Sequence, residues 1–118
     1  MHELAVCQGL MRQVDRIAAR EGAEQVTLIR LSIGPLSGVE PQLLRDAFPI
    51  AAAGSVAAAA ELQIESQAVR VRCLSCGAES EAQANRLVCG ECGDYRTQLL
   101  SGDELLLTSL ELERRQNA

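Results

Sequence analysis

The first twenty residues have the hydrophobic spacing of a helix. Between Leu4 and Arg20 the apolar residues recur at steps of three and four, and most charged residues fall outside that stripe. Such spacing places the apolar side chains on one face of an α-helix. Gly22 follows where a helix of this length would end. The apolar positions are Leu4, Cys7, Met11, Val14 and Ala18.

Three later segments instead alternate between apolar and polar residues, which is typical of half-buried β-strands. The first is Val26 to Ile33, where Arg30 and Ser32 separate the apolar positions. The second contains Leu62 and Ile64. The third has Leu106, Thr108, Leu110 and Leu112 on one side, with Ser109, Glu111 and Glu113 on the other.

A second helix is predicted after the turn formed by residues 34–38. Pro41 suits the first turn of a helix, where a backbone donor is not needed. Pro49 removes a donor further along, so we expect this helix to be kinked or short. Its predicted buried positions are Leu44, Ala47, Phe48 and Ala51.

These elements predict an α+β fold with a small mixed β-sheet of about three strands, two helices and an inserted zinc-ribbon-like β domain. Four cysteines lie between strands that we expect to share one sheet, so the segment containing them is interpreted as an insertion. The predicted domains are residues 1–69 together with 99–118, and residues 70–98.

The composition of the chain argues against several classes of function and location. The 118 residues carry a net charge of −5, every basic residue is arginine, and only one Phe and one Tyr occur. Binding to nucleic acid requires clustered positive charge and usually stacking aromatic residues. No apolar run is long enough to span a bilayer, and the first residues lack the pattern of a secretory signal. We expect a cytoplasmic protein, in which paired cysteines are more often metal ligands or redox groups than disulfides.

The cysteine pairs have the spacing of a structural zinc site. Cys73 and Cys76 form one Cys-x-x-Cys-Gly motif, and Cys89 and Cys92 form a second after twelve residues. Two residues between thiolates let both sulfurs reach one ion, and two such turns complete a tetrahedral site. Arginines near the pairs could offset the charge of the thiolates, although a solvated face is the simpler interpretation of each. They are Arg70, Arg72, Arg86 and Arg96.

Iron and redox chemistry are the alternatives for these cysteines. Four thiolates also bind iron, but a rubredoxin-like carrier usually packs aromatic residues around the metal, and this segment has only Tyr95. A redox Cys-x-x-Cys needs one pair with a reactive thiolate, whereas this chain has two matched pairs.

The start of the chain offers a different set of ligands. His2 is the only histidine and follows the initiator methionine. The amine of Met1, the amide nitrogen of His2 and its imidazole could form fused chelate rings, which suit Ni(II) or Cu(II). Glu3 could add a carboxylate or an amide nitrogen. A lone terminal histidine usually has no such role, and Cys7 is interpreted as a small apolar helix residue.

Several of these motifs together resemble the HypA/HybF family of nickel metallochaperones for nickel–iron hydrogenase maturation. They are Met1-His2-Glu3-Leu4, Leu31-Ser32-Ile33-Gly34, the loop from Leu36 to Pro41, and the two Cys-x-x-Cys-Gly motifs. The resemblance implies a nickel site with His2 as the essential ligand, Glu3 as a ligand or supporting residue, and Glu40 close to the ion. It also implies that Cys73, Cys76, Cys89 and Cys92 bind zinc.

The resemblance further implies partners for the chain, which would act as a monomer or homodimer. These are a hydrogenase-accessory GTPase and the precursor of the hydrogenase large subunit, and some family members also serve urease. Protonation of His2 and of the Met1 amine should weaken nickel binding as the pH falls.

Two other functions compete with nickel delivery. A zinc-ribbon module that binds nucleic acid or takes part in transcription would need the basic surface that this composition lacks. A thiol redox enzyme would need a readily reducible disulfide. The sequence shows no nucleophile–base pair, phosphate-binding loop or carboxylate dyad, so we do not predict an enzyme.

Overall fold

The computed structural model describes residues 2–114, apart from the side chain of His2, and shows two helices and two three-stranded sheets. This architecture confirms the predicted α+β class. In chain order the elements are α1 (His2–Glu21), β1 (Ala23–Ile33), α2 (Pro41–Ala52), β2 (Glu61–Ser66), β3 (Val69–Cys73), β4 (Glu79–Ala82), β5 (Thr97–Ser101) and β6 (Leu105–Arg114).

Helix α1 buries most of the predicted apolar stripe, and it ends at the predicted glycine. Gly22 has a φ of 66°, and its amide donates to the Ala19 carbonyl at 3.2 Å. The positive φ turns the chain out of the helix, which glycine does without steric cost. Cys7, Met11, Val14 and Ala18 of the predicted stripe are buried, together with Leu10 beside them, whereas Leu4 is half-buried.

Helix α2 packs on α1 and continues past Pro49 to Ala52. Its predicted buried face is confirmed at Leu44, Ala47 and Phe48. The last buried residue is Ala52, however, and Ala51 is only half-buried. The prediction for Ala51 was wrong because the buried face continues from Phe48 to the residue four positions later, Ala52, and not to the residue three positions later.

The first sheet has the strand order β2-β1-β6, so β1 lies at its centre. Ser32 was expected on a polar face, but it is 3% exposed, and its neighbours Leu31 and Ile33 are buried as well. A central strand covered on both faces does not show a simple alternation. The half-buried interpretation of this strand was therefore wrong at its end.

Hydrogen bonds to β1 show that the sheet is mixed. As residue numbers rise along β1, the numbers of the bonded residues in β6 fall, so β6 is antiparallel to β1. The numbers of the bonded residues on the β2 side rise, so β2 is parallel to β1. The contacts to β6 are Thr27 Oγ1 to Glu111 O at 3.2 Å and Thr108 Oγ1 to Arg30 O at 3.1 Å. Those on the β2 side are Arg30 Nε to Gln63 Oε1 at 3.1 Å and Gln67 N to Ile33 O at 2.9 Å.

The second sheet has the order β4-β3-β5, and both pairings are antiparallel. In β3 the side chains of Val69, Val71 and Cys73 are buried, while Arg70 and Arg72 point outward. The central strand thus ends on the first cysteine of the cluster.

The described chain divides into two compact units. One contains the residues up to Leu31, Val39–Ile64 and the chain from Leu107 onward, and the other contains Ser32–Gly38 and Glu65–Leu106. None of the helices in the described part has the length and apolar character needed to cross a membrane.

Within the second unit, Gly34 and Gly102 are in direct contact. A Cβ atom on Gly34 would overlap the Gly102 carbonyl, and one on Gly102 would lie 2.8 Å from Cγ2 of Val69. The Leu36 amide donates to that carbonyl at 2.7 Å. Gly102 also has a φ of 116°, so both positions require glycine.

Candidate metal centre

The structure brings the four predicted zinc ligands together. All four sulfur atoms lie within 4.8 Å of one another. The Sγ atoms of Cys73 and Cys92 are 3.6 Å apart, and so are those of Cys76 and Cys89. Four sulfurs at about 2.3 Å from a tetrahedral zinc ion would be about 3.8 Å apart. The cluster therefore fits one zinc ion.

Two turns of matching geometry, here called knuckles, hold the sulfurs in place. In residues 73–78, the Cys73 sulfur accepts from the amides of Ser75 and Cys76 at 3.3 and 3.4 Å. In residues 89–94, the Cys89 sulfur accepts from the amides of Glu91 and Cys92 at the same distances. Such bonds favour the thiolate, which is the form that binds metal.

Glycine closes each knuckle. Gly77 and Gly93 both have a φ of 76° and donate to the carbonyl of the first cysteine of their knuckle at 3.0 Å. The positive φ lets the chain fold back over the sulfurs, as expected from the position of glycine after each cysteine pair. Because this geometry is set by residues within each motif, the zinc site could be predicted from the sequence.

The four thiols differ in their pKa values. The amide of Cys76 is the main cause that lowers the pKa of Cys73 to about 6, and the amide of Cys92 similarly lowers the pKa of Cys89. The amide of Asp94 acts in the same direction on Cys92, but hydrogen bonding to the Cys73 sulfur and other effects raise its pKa to about 12. Binding of a dication would release the protons that remain on the cluster.

Asp94 links the two knuckles. Its carboxylate accepts a hydrogen bond from the Ser75 hydroxyl in the first knuckle. The same carboxylate accepts from the Arg96 amide at 3.0 Å and from the Arg96 guanidinium at 3.0 and 3.3 Å. The Arg96 side chain, followed by the Ser75 hydroxyl, holds the pKa of Asp94 well below its usual range.

Among the arginines near the cysteines, Arg96 interacts with the cluster. Its pKa is raised chiefly by Asp94, with smaller contributions from Cys73 and Cys92. Arg72 instead pairs with Glu79 at 3.0 Å, and both side chains are about half exposed. Sequence reasoning missed Ser75 and Asp94, although a serine within one motif and an acid directly after the other were visible signals.

The structure also brings together two of the three predicted nickel-site residues. The Glu40 amide donates to Glu3 Oε2 at 3.5 Å, and the Glu40 carboxylate accepts from the Gln42 amide at 3.2 Å. Glu40 is therefore the N-cap of α2. His2 is the first residue of α1, but its imidazole and the whole of Met1 lie outside the described part of the chain.

Taken together, an α+β unit and a ribbon with four clustered thiolates define a metal-binding protein with a structural zinc site. The family model described as hydrogenase/urease nickel incorporation, metallochaperone, HypA matches residues 1–112. The chain belongs to the HypA family.

Relatives and solved structures agree with this assignment. The hydrogenase maturation factor HypA of Nitrosospira multiformis is 46% identical over 112 residues, which cover 95% of this chain and 97% of the relative. The corresponding factor of Aquifex aeolicus is 42% identical over 113 residues, or 96% and 98% of the two chains. The solution structure of the nickel metallochaperone HypA from Helicobacter pylori has a TM-score of 0.70 at 25% identity, covering 96% and 98%.

The family assignment decides between the functions left open by the sequence. HypA proteins are nickel metallochaperones for hydrogenase maturation and not enzymes, which confirms the resemblance and the prediction that this chain is not an enzyme. Nickel is thus the transported metal, while the four-cysteine cluster fits structural zinc. The alternative of a zinc-ribbon module for nucleic acid is not favoured.

Proposed function

We propose that this chain binds Ni(II) at its first residues and delivers it for the maturation of nickel–iron hydrogenase. The observation that supports the proposal is the contact between Glu3, which follows His2 in the sequence, and the amide of Glu40. The family assignment supports nickel as the ion.

His2 supplies the imidazole and an amide nitrogen in this proposal, and Met1 supplies its amine. Glu3 adds a ligand or holds the site in place, and Glu40 lies close to the ion. Nitrogen-rich ligand sets of this kind suit Ni(II). The N-terminus of a helix carries partial positive charge, which disfavours a cation. A site here would hold nickel less tightly than a closed set of anionic ligands, which suits release.

The proposed division of labour follows the predicted domains. Residues 1–69 and 99–118 carry nickel, and residues 70–98 hold zinc through Cys73, Cys76, Cys89 and Cys92. The receiving partners would be a hydrogenase-accessory GTPase and the precursor of the hydrogenase large subunit, in the cytoplasm. Urease maturation is a second client class, supported by the wording of the family description.

Nickel titration of the untagged protein by calorimetry tests the site. We expect His2→Ala to weaken nickel binding at least about tenfold, since a ligand is lost. Gln8→Ala, an exposed change on the same helix, should leave the affinity unchanged. Residues added before Met1 should also weaken binding if the terminal amine is a ligand. Unchanged affinity in His2→Ala would contradict the proposal.

A further inference from the structure

The two knuckles of the zinc site are nearly equivalent, and the equivalence can be followed residue by residue. Each begins with a cysteine whose amide donates to the carbonyl five residues later, from Cys73 to Ala78 at 2.8 Å and from Cys89 to Asp94 at 2.9 Å. The further equivalent pairs are Leu74 and Gly90, Ser75 and Glu91, Ala78 and Asp94, and Ser80 and Arg96.

The bonds from the second residue of each knuckle preserve this symmetry. The Leu74 amide donates to the Arg96 carbonyl at 2.9 Å. The Gly90 amide donates to Ser80 Oγ, also at 2.9 Å. The first knuckle is therefore bonded to Arg96, just after the second knuckle, and the second knuckle is bonded to Ser80, just after the first.

The symmetry breaks at the next residue. Ser75 bonds to the Asp94 carboxylate, whereas its counterpart Glu91 is exposed and its side chain makes no hydrogen bond or ion pair within residues 2–114. Ala78, the counterpart of Asp94, has no polar side chain. A carboxylate thus bridges the knuckles on one side of the cluster only.

We propose that Asp94 is a positioning residue that, with Ser75 and Arg96, fixes the relative orientation of the knuckles so that the thiolates retain zinc and reject Ni(II). We call these three residues the Asp94 latch. The inference depends on the zinc site and on nickel as the family's cargo, and not on the proposed ligands at the N-terminus.

The physical reason lies in the preferred geometries of the two ions. Zinc accepts a tetrahedral set of thiolates, in which the two sulfur pairs lie across each other. Ni(II) favours a planar set, which would require one pair to turn until all four sulfurs share a plane. Because Ser75 belongs to one knuckle and Asp94 to the other, such a rotation would break the bond between them.

The surroundings of the carboxylate make it suited to this role. The Asp94 side chain is only 16% exposed, whereas that of Arg96 is 63% exposed. Ion pairs that are open to solvent contribute little by themselves. The hydrogen bond from Ser75 joins one knuckle to the other and is therefore the part of the latch that resists rotation, whereas Arg96, two residues after Asp94, chiefly orients the carboxylate.

The test compares how fast nickel and a plain chelator remove zinc from the zinc-loaded full-length chain. All variants carry His2→Ala, so that loss of nickel at the N-terminus does not affect the result. Zinc release is followed with a zinc-sensitive dye during challenge with excess Ni(II), and nickel bound to thiolate is followed by its charge-transfer absorption. Parallel samples receive the chelator alone.

We expect Asp94→Ala to accelerate nickel-driven zinc loss about tenfold, as for other residues that support metal ligands. Ser75→Ala should reproduce most of that effect, and combining the two should add little, because they remove the same bond. Glu91→Ala is the matched control at the equivalent position and should leave the rate unchanged.

Two results would overturn the inference. One is a rate in Ser75→Ala equal to that in Glu91→Ala. The other is an equal acceleration by nickel and by the chelator, since general weakening of the ribbon would not discriminate between them. Ser75 is exposed, so its variant decides the outcome even if Asp94→Ala fails to fold around zinc.

Discussion

The sulfur cluster and the proposed nickel site at the start of α1 differ in how their candidate ligands are held. In the cluster, four sulfurs lie within 4.8 Å of one another, and backbone amides fix the orientation of each knuckle. At the start of α1, the contact between Glu3 and Glu40 is a single hydrogen bond of 3.5 Å, at the long limit for such bonds. The difference is that many short-range backbone bonds hold the sulfur ligands together, whereas one long contact joins the two carboxylate residues.

The largest expected effect comes from removing a zinc ligand. Cys89→Ala should abolish stoichiometric zinc binding, because structural zinc contributes roughly 10–16 kcal/mol to the folding of small metal domains. Metal analysis measures the loss, and NMR spectra should show β3, β4 and β5 unfolding. Retention of one tightly bound zinc by this variant would contradict the assignment of the cluster.

Cysteine labelling should separate the four cysteines of the cluster from Cys7 in α1. Cys7 is fully buried. Burial, followed by the charge of Glu3, raises the pKa of its thiol. Little of this thiol is therefore in the reactive thiolate form at pH 8. We expect mass spectrometry with iodoacetamide at pH 8 to show four modified cysteines after zinc chelation, and a fifth only after unfolding. Rapid labelling of Cys7 in the folded protein would be inconsistent with this packing.

Glu40 allows the cap of α2 to be separated from the proposed nickel role. Glu40→Ala should lower the free energy of unfolding by about 1 kcal/mol, since the Gln42 amide loses its acceptor. Glu40→Ser should recover most of that loss, because serine is a good N-cap. If Glu40 also supports nickel, both variants should weaken nickel binding equally, which denaturant titration and calorimetry together would reveal.

The smallest effect is expected on the surface of the ribbon. Arg72 pairs with Glu79 at 3.0 Å, but both side chains are about half exposed. Such pairs contribute at most about 1 kcal/mol. Arg72→Ala should therefore leave the rate of zinc release within about twofold of the parent, in contrast to Asp94→Ala. A tenfold change here would mean that charge near the cluster, and not the latch, controls release.

The parts of the molecule that were predictable from sequence are those specified by local spacing. The helical repeat of α1, the glycine at its end and the two Cys-x-x-Cys-Gly motifs each carry their structural reason within a few residues. Ser32 was misjudged because its burial depends on strands that are distant in sequence. The short strands β4 and β5 have no alternation long enough to detect, since they are positioned by pairing with β3.

The metal sites show the same limit. Asp94 and Ser75 are nineteen residues apart in sequence, and only the folded ribbon reveals that they meet. Glu40 was singled out through family resemblance, and the structure adds that its carboxylate caps α2. Neither the bond between Ser75 and Asp94 nor the capping of α2 by Glu40 could be inferred from the local sequence around these residues.

Val69 and Gly102 lie against each other, so the segment between them, which contains the four cysteines, begins and ends at neighbouring positions. A segment with adjoining ends can be exchanged for another of different length without requiring its attachment points to separate. This geometry makes the ribbon a transferable module, and grafting it between two strands of an unrelated host should preserve its ability to hold zinc.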